Sequence, residues 1–79
     1  MSRLEEMGHR EELRTRRRII EAEITSHSDS IRAALPVAGN PEDIDGEYIM
    51  MLAIKLNERV QELRGVKRKI EVLERELGL

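Results

Sequence analysis

The segment Pro36-Val37-Ala38-Gly39-Asn40 decides the fold of this 79-residue chain, because helix-forming sequence lies on both sides of it. Proline interrupts a helix, and glycine and asparagine favour turns, so the segment predicts a break in helical structure. Apolar residues recur at helical spacing through residues 2–35 and again through residues 41–77. The sequence therefore predicts a single all-α domain, an antiparallel two-helix hairpin with helices near 3–35 and 41–77 and a turn at 36–40.

Two competing signals mark the start of the second helix. Asn40 is a favourable N-cap and Pro41 suits the first helical position, which predicts a start at residue 41. Gly46 interrupts the pattern and favours a later start, near Asp43 or Asp45. We expect residue 41 as the boundary, with the later start as the alternative.

Each predicted helix carries one apolar stripe, as is typical of a helix that packs along a single face. In the first helix the stripe consists of Leu13, Ile20, Ile24, Ile31 and Leu35, and Leu4 and Met7 begin it. In the second helix it occupies heptad a and d positions and consists of Ile49, Leu52, Leu56, Leu63, Val66, Ile70, Leu73 and Leu77. The heptads indicate coiled-coil-like packing or, in a dimer, a four-helix bundle.

The short turn also predicts which residues of the two helices face each other. A turn of five residues makes the helices antiparallel neighbours, so residues whose numbers sum to about 76 should be opposite. This register sets Arg17 against Arg59, and two guanidinium groups cannot share a dry layer. We expect both side chains to turn outward, toward Glu21, Glu58 or Glu62.

The composition excludes several classes of function. Sixteen acidic and fourteen basic residues give a net charge of −2, which disfavours general nucleic-acid binding. Without cysteine there is no thiolate zinc site and no thiol nucleophile, and no serine, threonine or lysine has an activating neighbour. The longest apolar run, Tyr48–Ile54, is too short to span a membrane. We therefore expect no enzyme, no cofactor and no membrane span, and a cytoplasmic location with the nucleus as an additional one.

The run Tyr48-Ile49-Met50-Met51-Leu52-Ala53-Ile54 is apolar around almost the whole circumference of a helix. A hairpin of two helices buries only one stripe of each, so Met50, Met51 and Ile54 need another cover. We expect Tyr48 and these three residues to form a partner-binding surface, since exposed apolar clusters mark interfaces and methionine adapts to varied surfaces. The alternatives are a homodimeric four-helix bundle and a first helix whose start folds over the run.

Four acidic residues, Glu42, Asp43, Asp45 and Glu47, lie around the start of the second helix. The sequence from Asp43 to Gly46 is similar to part of a calcium loop, but it lacks a third ligand before the glycine and the bidentate glutamate. We expect no metal here. Negative charge stabilises a helix N-terminus, and it would also attract a basic partner. Asp43 and Asp45 are therefore candidates for partner binding.

The densest basic run, Arg14 to Arg18, is a candidate nucleic-acid contact. Arg64, Lys67, Arg68 and Lys69 lie near it in the expected register, so the two groups could follow a phosphate backbone together. Glutamates interleave with these residues, and no aromatic side chain is available to stack on bases. We therefore favour solvated helix faces with ion pairs, and we consider a nucleic-acid partner the weaker hypothesis.

Glu23 and His27 are a pair of possible metal ligands at helical spacing. The pair lacks the third ligand of a zinc site and is not part of a His-Glu-x-x-His motif. We expect His27 to lie at the edge of the core, against Ile49 or Tyr48.

Two segments resemble a known domain. Ile20-Glu21-Ala22-Glu23-Ile24, followed by Asp29 and Ile31, resembles its first helix, whose pattern is Ile-Glu-Ala-(Glu/Gln)-(Ile/Leu). The segment from Gly39 to Asp45 resembles its entry to the second helix, Gly-aromatic-Pro-Arg-x-Asp-(Ile/Val)-Asp. The similarity covers about two-thirds of the chain. The domain is the N-terminal helical hairpin of the proteasome non-ATPase regulatory subunit 9 family of assembly chaperones.

The resemblance implies a non-enzymatic chaperone for an ATPase subunit of the proteasome regulatory particle base. It would contact the C-terminal small AAA subdomain of that subunit and leave before the particle is complete. The sequence differs from the family pattern at Asn40 and Glu42, and no PDZ domain follows, which implies a fragment or a reduced member. Two other classes remain open, a homodimeric structural or adaptor hairpin and a nucleic-acid-binding four-helix dimer of the plasmid copy-number type.

Overall fold

The structure, a computed structural model, describes residues 2–36 and 39–79 as two long helices packed side by side. Helix α1 spans Arg3–Ala34 and helix α2 spans Gly46–Leu77, and they form a rod with extents of 60 × 15 × 14 Å. The predicted all-α hairpin is confirmed. Val37 and Ala38, which belong to the predicted turn, lie outside the described residues.

Helix α1 begins where the sequence places its cap. The Ser2 hydroxyl accepts a hydrogen bond from the backbone N–H of Glu5 at 3.2 Å, which satisfies one of the free donors of the first turn. The helix ends at Ala34, and Pro36 follows shortly after, as expected of a residue that cannot continue a helix.

The predicted start of the second helix at residue 41 is wrong, and the later start near Asp45 is confirmed. Pro41–Asp43 forms a single 3-10 turn, and the side chain of Asn40 makes no capping hydrogen bond. Helix α2 begins at Gly46, because the Asp45 carboxylate accepts a hydrogen bond from the backbone N–H of Tyr48 at 3.0 Å. Glycine at the first position of a helix avoids the cost that it has in the interior.

The later start shifts the register between the helices. The connection now runs from Leu35 to Asp45 and is centred near residue 40, so facing residues have numbers that sum to about 80 instead of 76. Two ion pairs between the helices follow this register: Arg16 with Glu62 at 2.6 Å and Arg59 with Glu23 at 3.6 Å.

The predicted layers at the terminal end of the hairpin are wrong, because the inner face of α1 passes there through the partly buried Glu6 and Arg10. Leu4 and Met7 were expected to continue the apolar stripe of the first helix, but both are exposed, Leu4 by 81%. Polar side chains cross between the helices there instead. The Arg3 guanidinium donates to the carbonyl of Leu77 at 3.0 Å, and the Arg10 guanidinium pairs with the Glu74 carboxylate at 3.0 Å.

Arg17 and Arg59 turn to carboxylates, as expected. Arg17 lies 3.6 Å from Glu21, and Arg59 lies 3.0 Å from Glu62 and 3.6 Å from Glu23. The sequence indicated Glu21 and Glu62 as partners and missed Glu23, since only the shifted register brings Glu23 across from Arg59.

The core is a thin layer that lies toward the chain termini. Ile20 of α1 packs with Val66 and Ile70 of α2, and the partly buried residues Leu13, Ile24 and Leu63 pack against this cluster. In the part of the chain between residues 21 and 61 that the structure describes, Leu52 alone is buried. The half of the hairpin near the turn therefore contains the least buried apolar surface and the most exposed apolar residues.

Candidate protein-binding surface

Four apolar side chains near the start of α2 are exposed to solvent, and we call them the turn surface. They are Tyr48, Met50, Met51 and Ile54, and their exposed fractions lie between 42% and 60%. Helical geometry explains the exposure of Met50 and Ile54, which are the most exposed of the four. Leu52 faces α1 and is buried, and a residue two positions away is rotated by about 200° around the helix axis, so Met50 and Ile54 lie on the opposite side.

The start of α1 does not cover the turn surface, so that alternative is wrong. Helix α1 is continuous from Arg3, and Arg3 contacts Leu77 at the far end of the rod. Within the single chain, the described residues leave the turn surface open.

Two further apolar residues near the connection are exposed, and the sequence did not indicate them as surface. Leu35 was placed in the core stripe, but α1 ends at Ala34, and beyond the helix the stripe no longer points at α2. Ile44 lies between the 3-10 turn and the cap of α2 in an extended conformation. The sequence placed Ile44 inside the second helix, and the later start of α2 at Gly46 leaves it outside any α-helix.

The candidate residues Asp43 and Asp45 are both exposed, and the structure gives them different roles. Asp45 caps α2 through its carboxylate, whereas Asp43 lies in the 3-10 turn. Glu42 and Glu47 are also exposed. Among residues 2–36 and 39–79 none of these four carboxylates forms an ion pair, so four negative charges border the turn surface without a basic neighbour to neutralise them.

Glu23 and His27 border a shallow groove. The groove has a volume of about 300 Å³ and is lined by Glu23, His27, Lys55, Glu58 and Arg59. The carboxylate of Glu23 is held by Arg59 at 3.6 Å. In the part of the chain that the structure describes, no three histidine, cysteine or acidic side chains are grouped closely enough to hold a metal ion.

A second groove lies near the chain termini. It has a volume of about 360 Å³ and is lined by His9, Arg68, Lys69, Val72, Leu73 and Glu76. Its lining mixes two basic side chains with an apolar floor that is continuous with the core at Leu73.

The two basic groups differ in how they are neutralised. Arg14, Arg16 and Arg17 each pair with a glutamate, the first with Glu11 at 3.3 Å. This arrangement confirms solvated faces with ion pairs for most of the run on α1. Arg64, Lys67, Arg68 and Lys69 on α2 form no ion pair with any residue that the structure describes.

The fold and its surface define a helical hairpin with an exposed apolar and acidic turn end. Neither described helix contains a stretch with the length and hydropathy needed to cross a bilayer. Comparisons of the chain with protein-family models, with curated proteins and with solved structures found no match.

Proposed function

We propose that this hairpin is a non-enzymatic protein-binding module that binds its partner through the turn surface. The observation that carries the proposal is the solvent exposure of Tyr48, Met50, Met51 and Ile54. Among the described residues of this half of the hairpin, Leu52 alone is buried. Clustered exposed apolar side chains are characteristic of interaction sites, and methionine side chains adapt to the shape of a partner.

The turn surface contributes to binding but does not supply all of the binding free energy. Complete burial of one aliphatic side chain stabilises a complex by about 1.5–3 kcal/mol, and these four residues are already about half buried. Covering all four would therefore contribute about 3–6 kcal/mol. Association itself costs about 4–15 kcal/mol, so the partner must also make contacts outside these four residues. The exposed carboxylates of Asp43 and Asp45 favour a partner with basic residues around an apolar centre.

We further propose that the partner is an ATPase subunit of the proteasome regulatory particle base, and that the hairpin acts as an assembly chaperone for it. Support comes from the resemblance at residues 20–24 and 39–45. The architecture that this resemblance implied, a helical hairpin, is the one observed.

The test is a titration of the isolated C-terminal domain of the candidate ATPase subunit with this chain. The double variant Met51→Asp, Ile54→Asp should weaken binding by at least about tenfold, because it places two charges in an apolar contact. Ile19→Asp is the matched control, since Ile19 is similarly exposed but lies in the middle of α1. Binding that is unchanged in the double variant would exclude the turn surface, and absence of binding by the unmodified chain would exclude this partner.

A homodimeric structural or adaptor protein is the second candidate function. It is favoured by the unpaired basic side chains of α2, which a second chain could neutralise. A nucleic-acid regulator is less well supported, because most of the basic run on α1 is neutralised by glutamates. A gel shift that weakens steeply with salt would support nucleic-acid binding.

A further inference from the structure

Charge is distributed unequally along the hairpin. The half nearer the turn, residues 21–61, contains eight acidic and three basic residues, a net charge of −5. The other half, residues 1–20 and 62–79, contains eleven basic and eight acidic residues, a net charge of +3. A rod 60 Å long therefore has opposite charges at its two ends. Such a molecule repels a parallel copy and attracts an antiparallel one.

The strongest opposite charges lie on or beside the same helix. The acidic segment, residues 42–47, contains four carboxylates and no base, and the basic segment, residues 64–69, contains four bases and no acid. In the part of the chain that the structure describes, neither segment forms an ion pair. Within α2, Glu47 and Lys67 are about 30 Å apart at 1.5 Å per residue. No residue of one segment can therefore neutralise the other within the same straight helix.

A continuous face of α2 connects the two segments. Glu47, Ile54, Gln61 and Arg68 are spaced by seven residues and so share one side of the helix, on which Met50 also lies. This side is opposite the buried stripe that contains Leu52. The outer face of α2 thus has an acidic end, an exposed apolar part and a basic end, in that order.

We propose that a second copy of this chain docks on the outer face of α2. The two α2 helices pack antiparallel around a two-fold axis near residues 55–58, so that each acidic segment lies beside the basic segment of the other copy. Ile54 lies close to the two-fold axis and packs against Ile54 of the second copy. Met50 lies between Ile54 and the acidic segment of its own chain. The product is an antiparallel four-helix dimer.

The exposed area agrees with this arrangement. The hairpin exposes 5886 Å², whereas a compact monomer of its mass exposes about 4,900 Å². The excess of about 1,000 Å² is comparable to the roughly 800 Å² that each partner buries in an interface of standard size. A two-helix rod therefore has enough surplus surface for one such contact.

The dimer rests on the homodimeric candidate function given above and gives it a geometry, but it does not depend on the binding of a client. It shares Met50 and Ile54 with the turn surface, so a client would compete with the second copy for these residues. Dimerisation is measured on the purified chain alone, and client binding is measured separately at concentrations where the chain is monomeric. If either dimerisation or client binding is not observed, the other measurement can therefore still be interpreted.

The first measurement is sedimentation equilibrium of the full chain from micromolar to millimolar concentration. The mass should rise from 9.2 kDa toward twice that value, and the dissociation constant should increase with salt. A mass that stays at the monomer value throughout would overturn the proposal. An association whose dissociation constant does not change with salt concentration would also overturn the proposal, as would one that appears only when a polyanion is added.

Charge exchange tests the antiparallel geometry. The acid-to-base variant Asp43→Lys, Glu47→Lys and the base-to-acid variant Arg64→Glu, Arg68→Glu should each self-associate at least about tenfold more weakly, because like charges then face each other. An equimolar mixture of the two variants should dimerise as the unmodified chain does. Both variants leave the Asp45 cap and the buried residues intact, and circular dichroism checks that each remains helical. A mixture that stays monomeric, or variants that each dimerise normally, would refute the arrangement.

Discussion

Replacing Ile20 with alanine is expected to lower the free energy of unfolding by about 3 kcal/mol. Ile20 is 0% exposed and lies at the centre of the cluster with Val66 and Ile70. Truncation of a fully buried isoleucine to alanine costs about 2–5 kcal/mol, and a site that can partly collapse lies in the lower half of that range. Two helices without a third layer can close over part of the space.

The loss is large in relation to the whole molecule. A 79-residue domain has a total stability of about 4–12 kcal/mol, so one truncation would remove a quarter or more of it. The assay is urea denaturation followed by far-UV circular dichroism. All variants are compared at one protein concentration, because association would stabilise the folded state.

The neighbouring residue supplies a matched control. Ile19 has the same side chain on the same helix but is 47% exposed, so Ile19→Ala should change stability by less than about 0.5–1 kcal/mol. A loss below about 1 kcal/mol for Ile20→Ala, or equal losses for the two variants, would refute the assignment of the core.

Three smaller effects follow from contacts of the helices. Asp45→Ala removes the cap of α2 and should lower the free energy of unfolding, measured by urea denaturation, by about 1 kcal/mol. Asp43→Ala removes no cap and should lower it much less. Equal losses would contradict the start of α2 at Gly46. The ion pair of Arg16 with Glu62 is partly exposed, so a double-mutant cycle should give a coupling free energy of about 0.2–1 kcal/mol that decreases with salt concentration. A coupling that does not change with salt would contradict a partly exposed ion pair. Gly78 has a φ of 75°, a left-handed conformation that disfavours alanine. Gly78→Ala should therefore destabilise the end of α2 by about 0.5–1 kcal/mol, measured by thermal denaturation. A variant that is more stable than the unmodified chain would argue against this conformation.

Much of the fold could be predicted from the sequence, because the responsible signals are local. The break at Pro36 and the two apolar stripes predict two helices, and the short connection predicts that they are antiparallel. The stripe of α2 also predicts which residues are left outside, so the exposure of Met50 and Ile54 could be expected before the structure.

The start of α2 and the register could not be fixed in the same way. Asn40 with Pro41 and Asp45 with Gly46 are two start signals of similar strength, and their difference in free energy depends on how the connection closes. A shift of the start by five residues moves the centre of the connection and with it every layer of the core. Leu4 and Met7 were expected inside and are found outside for another reason, since the inner face of α1 continues through Arg10 and Glu6, which are partly buried, and leaves Leu4 and Met7 outside.

The candidate site was predictable as a surface, and its partner was not. Exposure follows from the geometry of one chain, whereas the identity of a partner depends on the shape and charge of another molecule. Leu35 shows why the exposed surface was not predicted completely. Whether Leu35 belongs to the apolar stripe depends on whether the first helix ends at residue 34 or at residue 35.

The position of the buried cluster far from the connection has a consequence for how the chain folds. Ile20 and Val66 are separated by 46 residues, while the described residues nearest the bend, 35–36 and 39–51, include no buried side chain. The first contacts to form near the bend therefore gain little free energy, and the chain must order most of both helices before its main stabilising contacts appear. Closing a loop of that length instead of one of about eleven residues costs only about 1.3 kcal/mol more, since loop entropy grows with the logarithm of length. Folding speed should consequently depend on the helical propensity of α1 and α2 and hardly at all on the composition of the bend.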